Sequence, residues 1–253
     1  MKYPEFIIAG VHKGGSTALW YNLDKHPKIH MAMKKESVEI HYWASSFRRK
    51  GEDWYKAFFK DGFICGEKSP SYYLSKPSMR QIHRNIPDCK IILCLRNPVD
   101  RAYSHYQMHL NGSKKHSTPS TFSVGAFKKY GAAGRYWNHL ENNILPFFDK
   151  EQIMICVMEE MKQDMNNKMK EVYEFVGVED LNLQPKIIDP LLRRTRTRKE
   201  DVTLSCSEDF YRVWSKHTNK LTGSLRDELL ERYRSQNEKL FKFLGYEIKE
   251  WLV

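Results

Sequence analysis

The stretch that most limits the fold of this chain lies near its start, Phe6-Ile7-Ile8-Ala9-Gly10-Val11-His12-Lys13-Gly14-Gly15-Ser16-Thr17-Ala18-Leu19. A short apolar run enters a glycine-rich turn holding one lysine, and a helix-forming segment follows. Strand, turn and helix N-terminus in that order gather backbone N–H groups on one spot, at the positive end of a helix dipole. The product is an anion cradle of the P-loop-like kind, and the anion it most often holds is a phosphate. Gly10 and Gly15 are spaced as in a Walker A loop, but Lys13 comes early and Ser16 stands where that loop has its lysine. The Mg²⁺-holding arrangement of a nucleoside triphosphatase is therefore not reproduced. A glycine turn with no ligand is the plain alternative. Lys13 and the Ser16-Thr17 hydroxyls speak against it.

A second segment, Lys90-Ile91-Ile92-Leu93-Cys94-Leu95-Arg96-Asn97-Pro98-Val99-Asp100-Arg101-Ala102-Tyr103-Ser104, reads as a buried parallel strand followed by a helix. Asn97 suits the N-cap and Pro98 the first helical position. Arg96 then stands at the carboxyl end of a strand, where open α/β sheets bind ligands. Ser104 lies almost two turns into the helix, so its hydroxyl could face the same crevice. An arginine fork plus a hydroxyl suits a monophosphate. A structural ion pair and a solvated serine are the alternative for these two residues taken alone.

The two segments together resemble the sulfotransferase superfamily that uses 3′-phosphoadenosine 5′-phosphosulfate. In that family the first loop holds the 5′-phosphosulfate. An Arg and a Ser eight residues apart, after a later strand, hold the 3′-phosphate. Lys13-Gly14-Gly15-Ser16-Thr17 matches the first motif, and Arg96 and Ser104 match the second with the same separation of eight. Glu39-Ile40-His41-Tyr42-Trp43 resembles the E-x-H-F-F segment of the branch containing heparan sulfate and bacterial carbohydrate or natural-product sulfotransferases. Gly66-Glu67-Lys68-Ser69-Pro70-Ser71-Tyr72 resembles its E-K-[ST]-P-x-Y segment, while Phe175-Val176-Gly177 and Leu244-Gly245 through Trp251 resemble weaker later landmarks. The resemblance spans nearly the whole chain. It implies a donor site of Lys13, Gly14, Gly15, Ser16, Thr17, Ala18, Arg96 and Ser104, with no metal. It also implies that a basic loop folds over the donor phosphates; here Arg193, Arg194, Arg196, Arg198 and Lys199, or Lys216, offer themselves, and a solvated charge run is the alternative.

Sulfuryl transfer resembles phosphoryl transfer, with in-line geometry and charge spread over peripheral oxygens. It needs cations where charge builds up and a base for one proton. Lys13 is the first cation and Lys68 the second, because E-K-S-P follows a predicted strand end. A lysine in an exposed turn is the other reading of Lys68. The resemblance selects Glu39 as base and His41 as its companion, and residues two apart in an extended segment point to one side. Glu36 is the alternative base through a small bulge, since Lys35-Glu36 resembles a dipeptide of bacterial members. A surface pairing of Glu39 with Lys34 or Lys35, and a packed His41, are the structural alternatives.

Strands are expected at 5–9, 63–66, 90–95 and 153–157, and helices at 16–26, 76–85, 98–110, 135–148, 164–176 and 224–243. This alternation predicts an α/β fold, one domain over 1–253 with a central parallel sheet flanked by helices. Asn111 to Gly134 is a long polar connection, either a substrate loop or partly helical. Hydrophobic residues make up 41% of 253, a globular composition. No leader precedes the first strand and no apolar run reaches about 18 residues, so no membrane span is expected. Five cysteines without metal spacing read as free thiols in a reducing cytoplasm, with Cys65, Cys94 and Cys156 buried. The net charge of +11 calls for an anionic partner, which the donor supplies in part. No zinc-finger, RNP-like or basic-zipper pattern points to nucleic acid. The acceptor is expected to be a small molecule or a carbohydrate. A P-loop kinase and a non-catalytic polyanion binder are the rival classes; the lysine placement opposes the first, and Glu39 with Lys68 the second.

Overall fold

The computed structural model describes residues 2–35, 37–44, 48–111, 117–183 and 221–252. Strands β1 (Phe6–Gly10), β2 (Ile29–Met31), β3 (Ile64–Lys68), β4 (Lys90–Leu95) and β5 (Ile153–Val157) form one parallel sheet in the order β2-β3-β1-β4-β5. Both neighbours of β1 come from later in the chain. Ile8 pairs with Lys68 of β3 and with Ile92 of β4, so the carboxyl ends of all three strands meet on one edge.

The strands are apolar on both faces, as a covered parallel sheet requires. Phe6, Ile8, Ile92, Cys94 and Cys156 face a layer made by α1 (Ser16–Asp24), α7 (Met158–Gln163) and α8 (Met165–Val176), through Leu19, Trp20, Leu23, Met161, Met169 and Val172. Ile7, Ala9, Ile91, Leu93 and Leu95 face α3 (Lys76–Asn85), α6 (Tyr136–His139) with the turn to Ile144 that continues it, and a C-terminal helix, through Met79, Ile82, Tyr136, Leu140 and Phe241. Gly66 of β3 lies opposite Phe6, and a Cβ there would come within 2.2 Å of the Phe6 ring. Cys65, Cys89, Cys94 and Cys156 are buried and free, while Cys206 lies outside the described residues.

Local signals act where the sequence places them. Asn97 caps α4 (Pro98–Leu110), its side chain accepting from Val99 N and Asp100 N, and Pro98 opens the helix. Ser75 caps α3 in the same way. Strand β2 has only three residues and gives no period of its own. Short α2 (Glu52–Lys56) and α7 likewise carry no signal that the sequence reading picks up. The 111–134 connection is partly helical: Ser123 caps α5 (Val124–Gly131). The helix expected over 224–243 is two helices, α9 (Ser224–Glu231) and α10 (Arg234–Leu244). Leu229 and Tyr233 pack against α4 and α5, whereas Leu240 and Phe241 pack on the sheet layer. The break at Tyr233 lets one segment serve both clusters.

Candidate functional site

The glycine turn after β1 seats itself against the end of β4. Val11 N donates to Cys94 O at 3.1 Å, and Gly14 N to Val11 O at 3.1 Å. A Cβ on Gly14 would fall 1.9 Å from Cys94 O, so only glycine fits. Gly15 at φ 100° turns the chain into α1, whose N-terminus has no side-chain cap and no acidic residue in its first turn. Lys13 stands on this turn at φ 70°. The N-terminus of α1, with its positive dipole end, thus opens at the carboxyl edge of the sheet with no acidic residue of its own first turn on it. Gly14→Ala is expected to destabilise the protein by about 1–3 kcal/mol, the range for forcing atoms into a packed site. Urea unfolding measures this, and an unchanged midpoint with intact nucleotide binding would mean that the loop can leave β4 freely.

One strand over, β3 ends in Lys68, which is almost wholly buried. Its Nζ donates to Thr17 Oγ1 of α1 at 3.0 Å and to Glu39 Oε1 at 2.7 Å. The lysine therefore joins the cradle to the carboxylate and is not in an exposed turn. Glu39 reaches this position because its segment continues the sheet edge where β2 stops: Ala32 N donates to Gly66 O, and Glu39 then bridges Lys68 in parallel. His41 Nε2 lies 2.9 Å from Glu39 Oε2. The two side chains meet as expected, but through a different backbone. His41 is at φ 58°, so the segment turns at this residue and is not simply extended. Ser71 Oγ stands 3.3 Å from His41 Nδ1, and Ser69 Oγ accepts from His41 N at 2.9 Å.

Burial pushes the Glu39 carboxyl up, but the His41 hydrogen bond and the charge and hydrogen bond of Lys68 outweigh it and hold the group at about 2. Glu39 is thus an ionised carboxylate at all ordinary pH, paired on both oxygens. The surface pairing with Lys34 or Lys35 is not what holds it. Burial pushes His12, inside the cradle, below the usual imidazole range, with Glu39 pulling the other way. Its ring stacks on His105 of α4 at 6.0 Å.

On the other flank of β1, Arg96 follows β4 directly and is buried, its carbonyl accepting from Tyr136 Oη at 2.7 Å. Ser104 is half-buried on the second turn of α4. Ala18 N closes the first turn of α1 onto Gly15 O at 2.9 Å. Lys13, Gly14, Gly15, Ser16, Thr17, Glu39, His41, Lys68 and Arg96 all gather at the ends of three adjacent strands, with Ser104 on the helix that follows β4. Glu36, the basic residues 193–199 and Lys216 lie outside the described residues. Sequence reasoning missed Ser69 and Ser71 as partners of His41, and the Thr17 hydroxyl as a partner of Lys68. The hydroxyls beside Lys68 in its motif were the available signal.

An all-parallel sheet has a glycine turn at the end of its central strand, flanked by a lysine and an arginine from the neighbouring strands, which places the chain in the open α/β class, whose ligand sites lie at this edge. A family profile described as Sulfotransferase domain matches residues 3–200. Heparan sulfate glucosamine 3-O-sulfotransferase 6 of Mus musculus is 33% identical over 190 residues, covering 70% of this chain and 53% of that protein. Bifunctional heparan sulfate N-deacetylase/N-sulfotransferase 2 of Homo sapiens is 28% identical over 225 residues, 79% of this chain and 24% of that protein. The chain spans about half the length of the first relative and about a quarter of the second. Among solved structures, a sulfotransferase from Alicyclobacillus acidocaldarius superposes with TM-score 0.72 at 20% identity, covering all of both chains. The sulfotransferase domain from the curacin biosynthetic pathway superposes with TM-score 0.59 at 14% identity, covering 98% of this chain and 100% of that one. These two likenesses concern the fold. The chain belongs to the sulfotransferase domain family.

Proposed function

We propose that this chain transfers a sulfuryl group from 3′-phosphoadenosine 5′-phosphosulfate to a hydroxyl or amine, with Glu39 as the general base. The observation that carries the reading is the position of Lys68, which touches the cradle through Thr17 and the carboxylate through Glu39. One cation thus stands between the place for the donor's phosphosulfate and the place for the acceptor's proton.

The residues fit the donor. Backbone N–H groups of the turn and of α1 receive the 5′ anionic group, with Lys13 beside them. Arg96 and Ser104 receive the 3′-phosphate. Lys13 and Lys68 offset the negative charge that grows on the leaving phosphate. Glu39 takes the acceptor proton, and His41 orients that carboxylate. The doubly paired Glu39 is a weak base while Lys68 stays on it. Phosphosulfate oxygens in the cradle compete for Lys68 and thereby strengthen Glu39 as a base.

The acceptor is a small molecule or a glycan. The relatives' names make desulfated heparan oligosaccharides the first acceptors to try, beside phenolic and aliphatic alcohols. Incubation with the donor and this panel, read by mass spectrometry, should show the gain of one sulfuryl group on at least one acceptor. Turnover of ATP instead, with no sulfated product, would favour the kinase reading. The buried free thiols support a reducing compartment such as the cytoplasm. Among the described residues no helix is long and apolar enough to cross a membrane.

The donor assignment makes a separate prediction. Adenosine 3′,5′-bisphosphate should bind clearly in calorimetry, and adenosine 5′-monophosphate much more weakly. Arg96→Ala should cost about 2 kcal/mol or more of the bisphosphate's affinity, as for a charge-assisted contact. Equal affinity of the two nucleotides would remove the role of Arg96 and Ser104.

A further inference from the structure

Behind the Glu39–His41 pair lies a carboxyl that the proposed transfer does not use. Glu67, next to last in β3, is completely buried. Its Oε1 accepts from Tyr55 Oη at 2.6 Å and its Oε2 from Ser69 Oγ at 3.0 Å. Ser69 Oγ in turn accepts from His41 N at 2.9 Å, at the residue whose backbone is left-handed. The same group of side chains holds the next residues. Trp43 N donates to Tyr72 Oη at 3.0 Å, and Trp43 Nε1 to Tyr55 Oη at 3.1 Å. A carboxylate can only accept. While Glu67 is ionised, Ser69 must give it the hydroxyl proton and turn its lone pairs to His41 N. A proton donor at position 67, whether a protonated acid or an amide, forces one of the hydroxyls aimed at it, those of Tyr55, Ser69 and Tyr72, to turn round.

We propose that Glu67 is a positioning residue of this site: as a carboxylate it orients Ser69, Ser69 pins the backbone of His41, and His41 holds Glu39 in place for the acceptor. The inference rests on the reading of Glu39 as base.

The chain of contacts also links the site to pH. Burial pushes Glu67 up to about 7, against hydrogen bonds from Tyr55, Ser69 and Tyr72 and the charge of His41. Tyr55 of α2, Tyr72 of the turn after β3 and Cys89 ahead of β4 also face it. Burial first, and Glu67 second, push all three well above their ordinary values, so they stay neutral. Lys34, after β2, faces it as well and is itself pushed down by burial. Glu67 therefore changes charge close to neutrality, and the pin on His41 tightens as pH rises through about 7. The sign for stability is opposite. A carboxyl raised in the folded state favours folding below its unfolded value, and that contribution is lost as pH rises through the folded one. Glu67→Gln should accordingly be no less stable than the parent at pH values above neutrality.

The test uses Glu67→Gln and Ser69→Ala in the full chain. Hydrogen exchange at the His41 amide should quicken about tenfold in both. Binding of adenosine 3′,5′-bisphosphate should not change. With desulfated heparan oligosaccharide as probe acceptor, or water where it is not taken, release of the bisphosphate should slow about tenfold or more at an unchanged donor KM. The acid limb of the parent's kcat, near pH 7, should be absent from Glu67→Gln. Unchanged exchange at His41 overturns the proposal whatever Glu39 does. So does faster exchange with full turnover, or a loss that follows the folded fraction in thermal melts. If exchange quickens while Glu39→Gln costs nothing, the link stands and the base assignment has failed.

Discussion

Glu39→Gln should lower turnover by about 10²–10⁴-fold, the range for losing general-base assistance. The substitution keeps the side chain's size, and its amide oxygen can still accept from Lys68 Nζ, which lies 2.7 Å from Glu39 Oε1. It cannot take a proton. Affinity for adenosine 3′,5′-bisphosphate should therefore stay near that of the parent if, as proposed, the altered group serves the acceptor and the cradle serves the phosphates. Glu36→Gln is the companion variant and should change turnover far less. The reverse pattern would assign the base to Glu36. If neither matters, His41 or an amine acceptor that enters neutral becomes the better account. A large loss of nucleotide affinity in Glu39→Gln would show instead that the carboxylate chiefly holds Lys68. The pH profile adds a check. With its carboxyl held at about 2, Glu39 contributes no acid limb to kcat/KM of the free enzyme at any ordinary pH. A limb near pH 7 that Glu67→Gln abolishes reports Glu67, which burial pushes up to about 7.

Lys68→Ala should have an effect of comparable size for a different reason. It removes a buried cation from the place where negative charge develops, and losing one such preorganised group costs about 10²–10³ in turnover. It also leaves Glu39 without the charge that offsets its burial, so the carboxyl should rise from about 2 toward or beyond its ordinary value. The stability consequence has a definite sign. A depressed carboxyl contributes stability above its unfolded pKa, and this is lost as pH falls through the folded value. The parent's margin in melting temperature over Lys68→Ala should thus be full above about pH 4.5 and shrink as pH falls from there to about 2, because only the parent loses this contribution in that window. Identical acid profiles would show that Lys68 does not set the state of Glu39. Full turnover in Lys68→Ala would leave Lys13 as the cation that matters.

The local units of this protein are legible in its amino-acid sequence. Gly10 to Gly15 reads as a tight turn, Asn97-Pro98 suits the opening of a helix, and the doubly apolar runs 6–9 and 91–95 suit a sheet covered on both faces. These rules act within a few residues, so they can be read one segment at a time. The resemblance to a family named Glu39, His41, Lys68 and Arg96 together, but did not put them in one place. Tertiary structure did that, because strand order sets β3 and β4 on either side of β1 and so brings three distant loops to one edge. Short elements such as β2 and α2 escaped the reading because they owe their form to neighbours across the sheet and not to a period of their own. The break between α9 and α10 was hidden for the same reason: two separate clusters pull on one amphipathic stretch. The state of Glu39 was beyond the sequence altogether. It depends on Lys68 at 2.7 Å and His41 at 2.9 Å, contacts that exist only once folding has brought these groups together and taken Lys68 out of water.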